Sequence, residues 1–342
     1  MRSSARGSVV AGVGLCAASA VLFSAKAIFV KLAYRYGVDA ITLLTLRMLL
    51  SLPVFVGIAI FEERRRAAAG DAPLSLREWG AVAALGVCGY YLASYFDFAG
   101  LVYITASLER LLLFVYPTFA VLLSMFLFGD RLGRREVGAL CLSYAGIALA
   151  FVGEGEIGGS NLWAGGALIL LAALTYATYL VFADAMIARV GTNRLIALAL
   201  TFAGLAVATQ FVITRPVRVL LVQPWQVYAY SLAIALLSTV APTFLLGQGI
   251  QRIGASRAAI TGTIGPVATI VLGVVVLGEP IGPFQVIGAV LVLGGVVALT
   301  LARRAQRGAD RAPDRAPDAA PVAAVAPEAY GSPDDAPLRR DP

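Results

Sequence analysis

Apolar residues gather in long runs at about residues 11–33, 40–61, 79–98, 101–128, 135–153, 162–185, 195–214, 225–248, 251–277 and 282–302. Each run approaches the roughly 20 residues that a helix needs to cross about 30 Å of hydrocarbon at about 1.5 Å per residue. None shows the strict alternation of a barrel strand. The separators "FEERRRAAAGDAPLSLREW", "GDRLGRRE", "GEGEIGGSN", "ARVGTNR", "TRPVRVLLVQP" and "GEPIGP" carry the Gly, Pro, Asn and charge of loops. The pattern predicts an all-α membrane protein with ten transmembrane helices.

The same pattern occurs twice. "AGLVYITASLERLLLFVYPTFAVLLSMFLFGDRL" (99–132) runs without a gap over "QGIQRIGASRAAITGTIGPVATIVLGVVVLGEPI" (248–281) at a constant offset of 149. Gly100 meets Gly249, Ile104 meets Ile253, Pro117 meets Pro266, Gly129 meets Gly278 and Asp130 meets Glu279. The chain therefore divides into a first five-helix repeat (11–153) and a second (162–302). Because five is odd, the second must cross the membrane in the opposite sense. Inverted repeats of this kind give secondary transporters two related conformations around a site near the midplane.

Composition agrees. The 342-residue chain is 59% hydrophobic and 14% charged, with a mean hydropathy of +0.84, against about 45–50% apolar and 25% charged in soluble domains. The net charge of +7 is a topology signal, not a nucleic-acid one. With an inside N-terminus, the inner segments carry Arg2, Arg6, Arg64, Arg65, Arg66, Arg77, Arg131, Arg134, Arg135, Arg189, Arg194, Arg303, Arg304 and Arg307. The outer ones carry Arg35, Arg215, Arg218, Arg252 and Arg257. This excess places residues 1–10 and the C-terminus in the cytoplasm of a cell whose inner (plasma) membrane holds the protein, and puts the acidic loop with Glu154 and Glu156 outside. Ala25-Lys26-Ala27 resembles a leader cleavage site, but the apolar run continues through "IFVKLAY" and is read as the first helix. Residues 303–342 mix Ala, Pro, Arg and Asp without an apolar run, which predicts a disordered cytoplasmic tail.

Cysteine and histidine exclude chemistries. Cys16, Cys88 and Cys141 lie in predicted helices and form neither a disulfide framework nor a metal spacing. With no histidine, Ser-His catalysis, His-ligated haem and HExxH zinc chemistry are out of reach. No GxxxxGK[ST] motif is present to drive a nucleotide-powered pump. No cofactor or metal is expected.

The ten runs, the twice-occurring "AS-x(9)-P-x(11)-G-[DE]" block and the glycines after it (Gly138, Gly146; Gly288, Gly295) resemble the EamA-domain branch of the drug/metabolite transporter superfamily over about residues 11–302. The resemblance implies a secondary transporter moving a small metabolite, amino-acid-like or otherwise polar or amphipathic, with export favoured. It also implies a cavity among the first, third, fourth, sixth, eighth and ninth helices. The first half departs from the pattern: "LERLLLFVYPT" stands where the second copy has "SRAAITGTIGP".

That departure puts Glu109 and Arg110 inside an apolar run, where a charge costs at least about 2.5–3.5 kcal/mol on insertion scales and so faces a cavity or a partner. By the run boundaries Glu109 lies about eight residues, or about 12 Å, inside the outer end of its helix, at a depth compatible with Arg47 and Lys26. Its expected partners are Lys26, Arg47 or Arg110. Adjacent Glu109 and Arg110 point about 100° apart, so one faces the cavity. Asp97 and Asp184 fall at opposite helix ends, where their cost is small. The chain holds 25 arginines and only two lysines, Lys26 and Lys31, and the retention of an ammonium at mid-helix points to a requirement for it.

Tyr90, Ser94 and Asp97 share an i, i+4, i+7 face; Glu109 and Tyr116 share another; Tyr176 and Tyr179 sit together; and Ser231, Ser238 and Gln248 mark the eighth helix. Pro117 and Pro266 each remove a backbone hydrogen bond and bend their helices. These residues outline a site for a small-molecule substrate in the lipid bilayer, with protons as a candidate coupling ion. Two other classes stay open: an intramembrane aspartyl protease using Asp97 and Asp184, against which stand the missing GxGD motif and their opposite faces, and a non-transporting scaffold or sensor.

Overall fold

In hydrocarbon a chain must satisfy its own backbone donors and acceptors, so apolar runs fold as helices. The computed structural model describes residues 2–129, 133–157 and 161–310, and every regular element among them is helical. α1 (Arg2–Tyr34) leads to α2 (Ala40–Ala68), which is capped by Asp39 accepting from Thr42 N at 2.9 Å. α3 (Leu76–Gly100) begins at a Ser75–Glu78 capping box and contains a π-helical stretch, Val87–Leu92. The fourth run is two pieces, α4 (Ala106–Leu113) and α5 (Tyr116–Phe128). α6 (Arg134–Ile157), α7 (Leu162–Val190), α8 (Thr192–Thr214) and α9 (Trp225–Gly254) follow, the last with a π-helical stretch at Leu236–Val240. α10 (255–262), α11 (Ile264–Leu277) and α12 (Pro283–Asp310) complete the bundle. Among the described residues nine helices are long and apolar enough to cross a membrane, α4 and α5 counting as one, and Ile264–Leu277 is apolar but shorter.

Several boundaries differ from the expected ones for local reasons. α1 starts at Arg2, inside the segment read as an N-terminal extension. Leu101–Thr105 is not helical, and Thr105 caps α4 by accepting from Leu108 N at 3.1 Å, so Glu109 sits in the first turn of a helix instead of eight residues along one. Gly254 (φ 77°, ψ 155°) interrupts the ninth run, which begins after it and not at 251. α12 continues through Asp310, into the segment expected to be disordered; residues 311–342 lie outside the described residues, as do Asp130 and Arg131. Pro117 and Pro266 stand just past short interruptions in which the backbone stays right-handed, at Phe114–Val115 and Thr263, in the first turns of α5 and α11, where a missing N–H has little cost.

Backbone irregularities recur at the sequence offset. Two of the three π-helical stretches among the described residues begin at Val87 and Leu236, and α5 and α11 both stop at a left-handed glycine, Gly129 (φ 73°) and Gly278 (φ 69°); the third stretch, Gly273–Leu277 at the end of α11, has no counterpart in α5. Packing pairs the two halves: α1 lies on α9 and α11, α7 on α3 and α5, α2 on α8, and α6 on α12. The α6–α12 seam is backbone against backbone. A Cβ on Gly146 would stand 2.7 Å from Gly288 O, and one on Gly288 would stand 2.6 Å from Gly146 O. Such small-residue seams replace the hydrophobic effect as the source of helix association in lipid.

One end of the bundle brings Arg35 Nη2 to Leu277 O (3.0 Å) and Arg215 to Asp39 (3.4 Å). The other brings Arg194 to Glu63 and Gly12 against Ile253 and Arg252. Arg252, counted above with the outer set, therefore lies beside the start of α1, as the parity of the crossings requires, since an eighth crossing ends on the side where the first begins.

Candidate substrate site

The site is built on α4, whose first-turn amides have no intrahelical partners. Two glutamates supply them. Glu154, near the end of α6, accepts from Thr105 N (2.7 Å) and Thr105 Oγ1 (2.8 Å). Glu279, after α11, accepts from Ala106 N (2.7 Å), Ser107 N (3.2 Å) and Ser107 Oγ (3.0 Å). Carboxylates at a helix N-terminus are favoured by its dipole as well as by these bonds. The sequence reading placed Glu154 in a solvent loop and used Glu279 only as a repeat marker; the signal was its place opposite Asp130 in the duplicated block.

One turn on, Glu109 is fully buried, with Oε1 3.3 Å from Lys26 Nζ. Asp97 Oδ2 approaches the same ammonium at 2.5 Å. The cation thus bridges two carboxyls from α3 and α4. Asp97 Oδ1 and Glu109 Oε2 are both buried without a hydrogen-bond partner. Lys26 is the one of the three expected partners that Glu109 takes.

Asp97 corrects the expectation of a cheap helix-end charge. It is only 3% exposed, because Phe98, Leu101 and Ile104 beyond it are themselves buried. The end of an apolar run is not the end of the protein interior.

Arg47, 8% exposed, does not meet Glu109. Its Nε donates to Thr239 Oγ1 (3.3 Å), its Nη1 donates to Ser94 Oγ (3.2 Å), and its guanidinium lies 5.5 Å from the centroid of the Phe98 ring. Arg110 turns away from Glu109, as the 100° step requires, and Nη2 donates to Ser24 Oγ at 3.1 Å while Nε is buried without a partner.

A cavity of about 300 Å³ collects these groups. Lys26, Arg47, Tyr90, Ser94, Asp97, Arg110, Tyr116 and Tyr176 all line it, with Ser238 and Thr239. Two of the three π-helical stretches among the described residues border it, presenting Tyr90 from α3 and Ser238 and Thr239 from α9; such stretches are frequent at functional sites. The extra residue in the turn swings side chains that a regular helix would turn aside. One wall is aromatic: Tyr116 meets Tyr176 edge-on at 5.1 Å, and Tyr176 stacks on Tyr179 at 6.0 Å. Tyr90 OH donates to Tyr179 OH at 3.2 Å, so Tyr179 backs the wall without lining the cavity. Pro266 borders it, and Pro117 is buried beside Tyr116.

Gln248 is not brought to the site. It is exposed, and its side chain lies 3.4 Å from Arg252 Nη1. Two positions past the cavity residue Leu246, it points about 200° away. Asp184 is exposed on α7 and does not join Asp97 in the cavity.

From the Lys26 level the lining runs toward the start of α1, through Cys16, Leu246 and Ala258. On the opposite side of Lys26 the interior is filled by Val30, Ala33, Leu43, Leu44, Phe98 and Leu101.

Residues 10–152 and 163–301 each match the EamA-like transporter family. The uncharacterized transporter YcbK of Bacillus subtilis (strain 168) is 33% identical over 306 residues, covering 86% of this chain and 92% of its own length. The uncharacterized transporter YcxC of the same organism is 27% identical over 70% of this chain and 80% of its own. A crystal structure with a TM-score of 0.56 covers 86% of this chain and 99% of its own at 17% identity, a likeness of fold alone.

Proposed function

This chain belongs to the EamA-like transporter family, a multi-pass membrane family, and we propose that it is a secondary transporter that carries a small polar or amphipathic metabolite by alternating access. The observation that carries this reading is the cavity of about 300 Å³ walled by both halves of the chain and capped by Lys26 and Asp97, with Glu109 behind Lys26 and not itself in the lining. A site between repeats is where such transporters bind their cargo.

We assign residues 11–153 and 162–302 to two inverted five-helix repeats. Exchanging each helix with its counterpart maps the α1 contacts with α9 and α11 onto those of α7 with α3 and α5. It leaves the α2–α8 and α6–α12 contacts unchanged. The arginine excess at the end where α1 starts supports cytoplasmic termini in the inner membrane. In that orientation the cavity lies on the cytoplasmic side of the Lys26 cluster, placed to load from within, which favours export. The two carboxyls sharing one ammonium are the groups we propose for a coupling proton. We assign no catalytic role: Asp97 and Asp184 do not share a site, as a two-aspartate hydrolase would need.

The test is transport by purified protein in liposomes, screened against amino acids, organic acids, sugars and amphipathic cations. Solute movement that Glu109→Gln or Tyr116→Ala abolishes in a correctly inserted protein supports the reading. Movement unaffected by either change, or none for any solute class, refutes it.

A further inference from the structure

The charges of the cavity do not balance, and the imbalance has a chemical meaning. Three cations reach the site, Lys26, Arg47 and Arg110, against two carboxylates, Asp97 and Glu109. Each carboxylate reaches Lys26 through one oxygen. Among the described residues each arginine hydrogen-bonds only to hydroxyls, Arg47 to Ser94 and Thr239, Arg110 to Ser24. Cations withdrawn from water are ordinarily paired with an anion, and here buried Arg47 and half-buried Arg110, on different helices, line one cavity with no carboxylate of the described residues in an ion pair with either. Arg110 Nε and Ser238 Oγ are also buried without partners, and both belong to residues of the cavity wall.

We infer that the transported solute is a small organic monoanion. Its carboxylate is held by the guanidinium groups of Arg47 and Arg110 with Ser238, and its apolar or aromatic body lies against Tyr116 and Tyr176. The planar fork of arginine suits a two-oxygen anion better than a lysine would. The two donor atoms left over are the type that such an anion satisfies. Tyr116 and Tyr176 offer ring edges and faces for the body of the ligand. A cationic group would meet Arg47 and Arg110 in the same cavity, whose like charge disfavours it. Such an anion leaving the cell also moves down the inside-negative membrane potential.

The inference rests on the cavity being the substrate site, and one experiment separates the two. Full-length protein in nanodiscs is titrated with three shape-matched probes, 3-phenylpropionate, 3-phenylpropionamide and 3-phenylpropylamine, reading melting temperature and heat of binding. The expected result is saturable binding of the carboxylate, at least about tenfold weaker binding of the amide, and none of the amine. Arg47→Gln and Arg110→Gln should each weaken the carboxylate about tenfold or more, while Gln248→Ala, outside the cavity, leaves it unchanged. Equal or tighter binding of amide or amine that Tyr116→Ala removes overturns the anion assignment and keeps the cavity as the site. Carboxylate binding indifferent to both arginines also overturns it. If no probe binds and none of the variants alters transport of any solute, the inference and the proposed function both fall.

Discussion

Lys26 holds two carboxyls at once, so the three members of that cluster should differ in what their removal does. At an effective dielectric of about 20, the Nζ–Oδ2 contact of 2.5 Å corresponds to a gross attraction of about 7 kcal/mol and the Nζ–Oε1 contact of 3.3 Å to about 5 kcal/mol. Desolvation and the mutual repulsion of the carboxylates offset most of this, and the net effect depends on which charge is left alone. Lys26→Met strands two buried carboxylates side by side and should destabilise by about 3–5 kcal/mol. Asp97→Asn leaves the ammonium with its longer contact and should cost about 2–3 kcal/mol. Glu109→Gln keeps the short Lys26–Asp97 pair and loses one charged hydrogen bond, about 1–2 kcal/mol. At about 2–4 °C per kcal/mol, Lys26→Met should lower the melting temperature by on the order of 10 °C. The double change Lys26→Met with Glu109→Gln should melt above Lys26→Met alone, since one stranded charge is gone. Melting curves of the four variants in one detergent decide the matter. A Lys26→Met protein within about 2 °C of the parent, or a Glu109→Gln protein less stable than it, refutes the shared-cation account.

The α6–α12 seam leaves no room for a methyl group, so Gly288→Val should destabilise by about 3 kcal/mol or prevent insertion, whereas Gly138→Ala, with open space around it, should not; yield and melting temperature report both. Glu279→Gln and Glu154→Gln remove charged caps from α4 and should each cost about 1–2 kcal/mol, seen as faster hydrogen exchange at the amides of Ala106 and Ser107 for the first and of Thr105 for the second; unchanged exchange contradicts the capping role. A reporter that fluoresces only in the cytoplasm should glow when fused after Asp310, and a periplasm-only reporter inserted at Leu221 should be active; the opposite pattern reverses the orientation.

The helices and most of the cavity wall were legible because each depends on local periodicity: apolar run length, and the 100° step that sets Tyr90, Ser94 and Asp97 on one face. What the sequence withheld depends on contacts between distant segments. Glu109 had three possible cations, and nothing along the chain says that α1 brings Lys26 to it while Arg47 turns to Ser94, Thr239 and Phe98. Asp97 seemed peripheral because hydropathy cannot tell a buried link, Leu101–Thr105, from one at the surface. Gln248 was singled out as a polar residue in an apolar run, and polarity alone does not say which side of the helix meets the cavity. Glu154 and Glu279 read as loop acids because the amides they cap belong to another segment.

The duplicated halves have unlike charge at equivalent places. At the offset of 149, Asp97 corresponds to Leu246 and Glu109 to Ala258, and both of these join Cys16, Ile250 and Ile253 in an apolar cluster at the opposite end of the cavity. Under the alternating access we propose, these clusters are two doors, one bolted by ions and the other closed by oil and water alone. Parting the first separates charges in a poor dielectric; parting the second only wets hydrocarbon, a process whose free energy is entropic near room temperature and carries a large heat-capacity change. The two half-turns of the working cycle are therefore expected to respond differently to warming, so the slower of them can change over as temperature rises, bending an otherwise straight rate plot.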